Sequence, residues 1–195
     1  MAGKLVLVLG GARSGKSSFA ERFVLNHGYK CAYIATAEIL DDEMAERVKQ
    51  HQLRRKNNRW VNFEAPYNAE QMVAQAGEAA DCILFDCLTL YLSNLMYGKN
   101  APNSFEDKCV YVKNEVDKLI TAARSTNKTV VFVSNDVGSG IVPDNQMARE
   151  YRDVAGWLNQ QVGCEADSVF YVIAGQAVDI KKLAFKFEDN PILGE

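Results

Sequence analysis

The stretch Lys4-Leu5-Val6-Leu7-Val8-Leu9-Gly10-Gly11-Ala12-Arg13-Ser14-Gly15-Lys16-Ser17 decides the fold. Leu5 to Leu9 form an unbroken apolar run, and such a run suits a strand covered on both faces better than one with a wet side. It empties into a glycine-rich turn that fits GxxxxGK[ST], and a helical pattern opens at Ser17. The chemistry of a phosphate-binding loop accounts for each residue type. Glycines let the backbone N–H groups turn inward as an anion nest, the helix N-terminus adds partial positive charge, Lys16 neutralises phosphate oxygens, and Ser17 is placed to ligate Mg²⁺.

Working outward, Tyr29–Ile34, Cys82–Asp86, Thr129–Ser134 and Ser168–Ile173 read as further strands beside Lys4–Leu9. Helices are expected at Ser17–His27, Asp41–Lys56, Phe105–Arg124 and Asn145–Val162, from apolar spacing and flanking caps. Strands alternating with helices predict an α/β fold: a doubly wound, mostly parallel sheet with helices on both faces, like P-loop NTPases. Lys56–Asn68 and Gly98–Ser104 read as loop-rich zones. Residues 1–182 are expected to form one nucleotide-binding domain, followed by a tail from Leu183 to Glu195.

The 195 residues are 48% hydrophobic and 24% charged, ordinary globular values that argue against disorder or a coiled coil. With 22 Lys plus Arg against 25 Asp plus Glu, the net charge of −3 lacks the basic excess of a nucleic-acid binder, so no nucleic-acid partner is expected. No apolar run approaches the roughly 20 residues of a membrane span, and the chain reads as cytoplasmic. Cys31, Cys82, Cys87, Cys109 and Cys164 are odd in number and scattered, which favours buried thiols over a disulfide framework or a zinc site.

A P-loop needs a second carboxylate to hold its metal, typically at the end of a neighbouring apolar strand. Asp86, closing Cys82-Ile83-Leu84-Phe85-Asp86, is in that position, although an Asp there could instead cap the helix starting at Leu88. Only two histidines exist. His27 stands at a helix end, where a cation favours the dipole. His51 lies within the helix expected at Asp41–Lys56, where Glu43, Arg47, His51, Arg54 and Arg55 share a face. Arginines there would attract a triphosphate and hold the imidazole neutral for attack; a solvated charged face is the other reading. Ile34-Ala35-Thr36-Ala37 and Asn135-Asp136-Val137-Gly138-Ser139-Gly140-Ile141-Val142-Pro143 follow strands, and so belong at the same sheet edge as the phosphate loop.

Taken together these motifs resemble the bifunctional cobinamide kinase / cobinamide-phosphate guanylyltransferase family of cobalamin biosynthesis, over nearly all of Leu5–Lys181. The resemblance rests on Gly10–Ser17, Tyr33–Thr36, the stretch from Asp41 to His51, Trp60 with Glu64, Asp86–Leu95, the loop Asn135–Pro143 and Arg149–Gln160. It implies two reactions: phosphorylation of adenosylcobinamide by ATP or GTP, then transfer of GMP from GTP to adenosylcobinamide phosphate through a guanylylated histidine, with pyrophosphate released. By the same resemblance His51 is the nucleophile, and the nucleotide contacts fall on Gly10–Ser17, Ala35-Thr36-Ala37, Gln52-Leu53-Arg54-Arg55, Glu64 and Asp86. Catalysis would rest on His51 and Lys16, with Mg²⁺ on Ser17 and Asp86. A corrinoid substrate and a homo-oligomer, a trimer in the family, are implied as well. Gln52 stands where the family usually has a basic residue, and Asp136 where Glu is common. From the residues alone two rivals remain, a small-molecule kinase without the covalent step and a nucleotide-dependent switch.

Overall fold

The computed structural model of the protein describes residues 3–38 and 59–185. His51, Gln52, Leu53, Arg54 and Arg55, the helix expected at Asp41–Lys56 and nearly all of the tail lie outside the described residues. The elements in chain order are β1 (Lys4–Gly10), α1 (Lys16–His27), β2 (Cys31–Ala35), β3 (Trp60–Glu64), α2 (Ala69–Ala79), β4 (Cys82–Asp86), α3 (Leu88–Tyr97), α4 (Phe105–Ser125), β5 (Thr129–Asn135), α5 (Gln146–Glu165), β6 (Ser168–Ile173), β7 (Gln176–Asp179) and the single turn α6 (Ile180–Leu183).

Seven strands form one sheet in the order β3-β2-β4-β5-β1-β6-β7. All neighbours are parallel except β6 and β7, which form an antiparallel hairpin. The expected fold class is therefore the observed one. Along β1 the apolar run splits between the two faces, as the two-residue period of a strand requires. Leu5 and Leu7 join the core under α2, α3, α4 and α5, whereas Val6 and Val8 pack with Ala20 and Val24 of α1. Both sides of the central strands are thus buried, which is why their sequences carry no polar alternation. Among the described residues, no helix is long and apolar enough to cross a membrane.

Two expectations need correction. The zone Lys56–Asn68 is not all loop, since β3 lies within it and pairs with β2 from Cys31↔Trp60 to Ala35↔Glu64. As the edge strand of the sheet it leaves Asn62 and Glu64 exposed, and those polar residues mask the strand signal. The second is β7, which was not expected at all. Its four residues are only half buried, and the turn preceding it places Ala174 and Gly175 at φ 49° and 78°, the double left-handed turn of a tight hairpin.

Candidate nucleotide site at the carboxyl edge of the sheet

Parallel pairing brings the carboxyl ends of the strands to one edge, and the register shows which residues meet there. Gly10 pairs with Asn135, and Ala35 pairs with both Asp86 and Glu64. The P-loop crosses this edge between β1 and α1. Gly15, the residue preceding α1, has φ 96°, and a Cβ there would lie 3.1 Å from the Gly175 Cα, so the position demands glycine twice over. Gly15 offers no side chain to cap the helix, whereas α4 and α5 are capped by Ser104 and Asn145. The first N–H groups of α1 thus keep their capacity for an anion, as phosphate binding at a helix start requires.

Lys16 is buried, and its Nζ donates to the Gly11 carbonyl at 3.1 Å, which folds the ammonium back over the loop. Burial pulls the Lys16 pKa below its usual value, with the Cys87 thiol and the Asp86 carboxylate acting in the opposite direction. The buried Ser14 hydroxyl has no hydrogen-bond partner among the described residues, while the Ser14 carbonyl accepts from the Gly175 N–H at 2.8 Å. The β6–β7 hairpin therefore braces the outer side of the P-loop. The loop's Arg13 adopts φ 56°, a left-handed conformation that helps turn the backbone inward.

Asp86 ends β4, two strand positions from β1. The alternative of a helix cap fails on geometry, because the residue before α3 is Cys87 and α3 has no side-chain cap bond. The Asp86 carboxylate instead accepts from the Tyr33 hydroxyl at 3.4 Å and stands within electrostatic reach of Lys16. Like the Ser17 hydroxyl at the start of α1, it is a hard oxygen donor of the kind Mg²⁺ prefers. Thr36 is fully buried, and its hydroxyl exchanges hydrogen bonds of 2.8 Å with the Cys87 N–H and carbonyl. The side chain is thus spent on tying the β2 edge to the β4 edge. Asn94 reinforces this tie by donating to the carbonyls of Thr36 and Pro66. The flanking Ala35 and Ala37 remain partly exposed.

Glu64 shares the edge but not the cradle. It ends β3, four strand spacings from β1, a separation of about 19 Å at the usual 4.8 Å per strand. Phosphates held by the P-loop are out of its reach. On the other side of β4, Asp136 follows β5 and donates its N–H to the Gly10 carbonyl at 3.2 Å. Its carboxylate accepts from Ser139 Oγ at 2.6 Å and the Tyr171 hydroxyl at 2.7 Å. Burial would raise the Asp136 pKa, but these hydrogen bonds outweigh it and hold the group below the usual carboxylate range. Neither Tyr171 nor Gly175 was legible as a supporting residue. The only signal was the Ala-Gly turn, set in a polar stretch that does not read as a strand.

His27, the last residue of α1, bonds through Nδ1 to the Phe23 carbonyl at 2.7 Å and stacks on the Phe23 ring at a centroid distance of 4.0 Å. It packs at the amino edge of the sheet, away from the P-loop, which agrees with a structural role. Among the described residues no cluster of three or more His, Cys, Asp or Glu could hold a metal ion.

Comparison with known proteins gives a consistent result. The family model for cobinamide kinase / cobinamide phosphate guanyltransferase matches residues 6–180. The bifunctional adenosylcobalamin biosynthesis protein CobU of Salmonella typhimurium is 38% identical over 182 residues, 91% of this chain and 99% of the relative. CobU of Escherichia coli is 36% identical over the same shares, and CobP of Pseudomonas aeruginosa is 35% identical over 90% of this chain and 96% of its own. The match runs through the P-loop, the Asp86 edge and the β6–β7 brace alike, and the chain belongs to the cobinamide kinase / cobinamide phosphate guanylyltransferase family.

Proposed function

We propose that this chain performs both reactions of its family with one sheet edge, using the P-loop for phosphoryl transfer and His51 for the covalent guanylyl transfer. The observation that carries the kinase half is the P-loop's state of readiness. Its helix N-terminus has no side-chain cap, Lys16 is folded over Gly11, and Asp86 lies within electrostatic reach of Lys16. In that half the terminal hydroxyl of adenosylcobinamide attacks the γ-phosphorus of ATP or GTP, the bond to the β-phosphate oxygen breaks, the nucleoside diphosphate leaves, and the hydroxyl proton is released to water. The work is positioning and charge neutralisation. Ser17 and Asp86 would hold Mg²⁺, which would supply neutralising charge for the phosphates. Lys16 neutralises the γ-phosphate, and the backbone nest of Gly10-Gly11-Ala12-Arg13-Ser14-Gly15 fixes the phosphate chain.

In the transferase half an imidazole nitrogen of His51 attacks the α-phosphorus of GTP, pyrophosphate departs, and a phosphoramidate forms. A phosphate oxygen of adenosylcobinamide phosphate then attacks that phosphorus, and the P–N bond breaks as the imidazole picks up a proton. Gln52, Leu53, Arg54, Arg55 and Glu64 serve this half. For Glu64 the support is its distance from the P-loop strand, which separates it from phosphates nested there. Ala35 and Ala37 line the edge between the two halves, while Thr36 holds it together. The reading further takes the enzyme to be cytoplasmic and a homo-oligomer.

The test supplies adenosylcobinamide with Mg²⁺ and ATP, and then GTP, with products separated by chromatography. Adenosylcobinamide phosphate should appear first and the GDP-linked corrinoid second, with one pyrophosphate per guanylyl transferred. Phosphate transfer that never proceeds to the GDP-linked product would reduce the chain to a plain kinase. Nucleotide binding without transfer would reduce it to a switch.

A further inference from the structure

Between β5 and α5 the chain makes a loop whose two ends are fastened and whose tip is bare. At its start Asp136 bonds to Gly10, Ser139 and Tyr171. Arg152 of α5 donates to the Gly138 carbonyl at 2.8 Å, and Arg149 donates to the carbonyls of Pro143 and Asp144 at 3.0 and 2.6 Å. Between these anchors Ile141 is 95% exposed and Val142 58% exposed. Two β-branched residues held out in water by a fastened backbone form a preorganised apolar contact, with little ordering left for binding to oppose.

The loop's position determines what can reach that contact. Its first residue is hydrogen-bonded to Gly10, the residue that opens the P-loop, so the loop leaves the sheet at the same carboxyl edge, beside the start of the phosphate cradle. An acceptor whose hydroxyl lines up with a γ-phosphate in that cradle must lay the rest of its bulk over the adjoining loops. A corrinoid is a large macrocycle with methyl-bearing faces, and the cradle itself offers polar groups: backbone amides, serine hydroxyls, a lysine and a carboxylate. We infer that Ile141 and Val142 form the seat for the corrinoid macrocycle. This inference rests on the kinase reading given above.

Equilibrium dialysis of adenosylcobinamide against the full chain, together with kinase kinetics in ATP, tests the seat in Ile141→Ser and Val142→Ser. Burial of such side chains predicts that Ile141→Ser raises both the Kd and the KM for the corrinoid about tenfold or more, with Val142→Ser next. The kcat and the KM for ATP should stay within about twofold of wild type, and Ile141→Leu should restore corrinoid affinity. Unchanged corrinoid Kd in both serine variants, with wild type binding normally, would overturn the seat and leave the kinase reading standing. An equal rise in KM for ATP would place the loop's effect on the nucleotide instead and also overturn it. So would a fall in molar mass by light scattering that accompanies the loss, because the tip would then belong to an interface between copies. If wild type bound no adenosylcobinamide, the functional reading and the seat would fall together.

Discussion

The two edges of the sheet are built on opposite principles. At the amino edge polar groups are tied into the fold. The Leu5 N–H donates to Asp167 Oδ2 at 2.8 Å, and Arg124 binds both that carboxylate and the Gly3 carbonyl at 2.7 Å. Arg59 closes the end of α1 by donating to the carbonyls of Leu25, Gly28 and Tyr29. At the carboxyl edge Thr36, Asn94 and Asp136 are tied in as well, but the polar groups of the P-loop are held ready for something else. Among the described residues, Ser14 Oγ is buried without a partner, α1 starts without a side-chain cap, and Lys16 is buried with a single carbonyl hydrogen bond. Unspent hydrogen-bonding capacity costs stability. Its concentration at one edge separates the part of the molecule that binds from the part that holds it together.

The sharpest break of that contrast is Lys16→Ala. Removing a charge that neutralises the transferring phosphate should lower kcat for cobinamide phosphorylation by about a hundredfold to a thousandfold. Thermal stability should hold or rise, because burial of the ammonium costs more than its one hydrogen bond among the described residues and its attraction to Asp86 return. Phosphoryl-transfer assays beside thermal denaturation check both, and a large loss of Tm would mean that Lys16 is structural. Asp86→Asn should act less steeply, raising the Mg²⁺ concentration needed for half-maximal turnover about tenfold while nucleotide binding persists. An unchanged Mg²⁺ requirement would detach Asp86 from the metal.

The amino edge should respond in the reverse sense. Asp167→Ala should cost about 1 kcal/mol of stability, the value of a hydrogen bond and a half-exposed ion pair after solvent screening, with turnover unaltered. Burial opposes ionisation of Asp167, but the Leu5 N–H and Arg124 prevail and its carboxyl sits below the usual range. A group depressed in the folded state stabilises above its unfolded pKa and loses that contribution as pH falls through its folded value. The stability gap between wild type and variant, measured by urea denaturation, should therefore be full near neutrality and close in strong acid. A gap that widened on acidification would contradict the assignment.

Much of this was legible in the sequence, for physical reasons that can be named. The continuous runs Leu5 to Leu9 and Cys82 to Phe85 announced strands buried on both faces, and the P-loop motif singled out the edge at which the candidate site lies. Asp86 could be placed at the edge, but its freedom from capping could not be read, because Cys87 and Asp86 are equally placed before α3 until the backbone is seen. β3 and β7 were missed because edge strands carry polar residues that interior strands exclude. Thr36 could be placed at the sheet edge from the strand before it, yet the partner of its hydroxyl, Cys87, lies 51 residues away, beyond any local pattern. Tyr171 on Asp136 and Gly175 on Ser14 were hidden for the same reason.

The account turns on covalent guanylylation at His51, and one measurement addresses it directly. The protein is incubated with α-labelled GTP and Mg²⁺, digested, and the labelled peptide mapped. The label should be acid-labile and alkali-stable, as a phosphoramidate is, should reside on His51, should disappear in His51→Ala and should persist in His27→Ala, whose imidazole is occupied at the end of α1. Label on any other residue, label surviving in His51→Ala, or no α-label in wild type would contradict the account and leave a kinase resting on Lys16, Ser17 and Asp86.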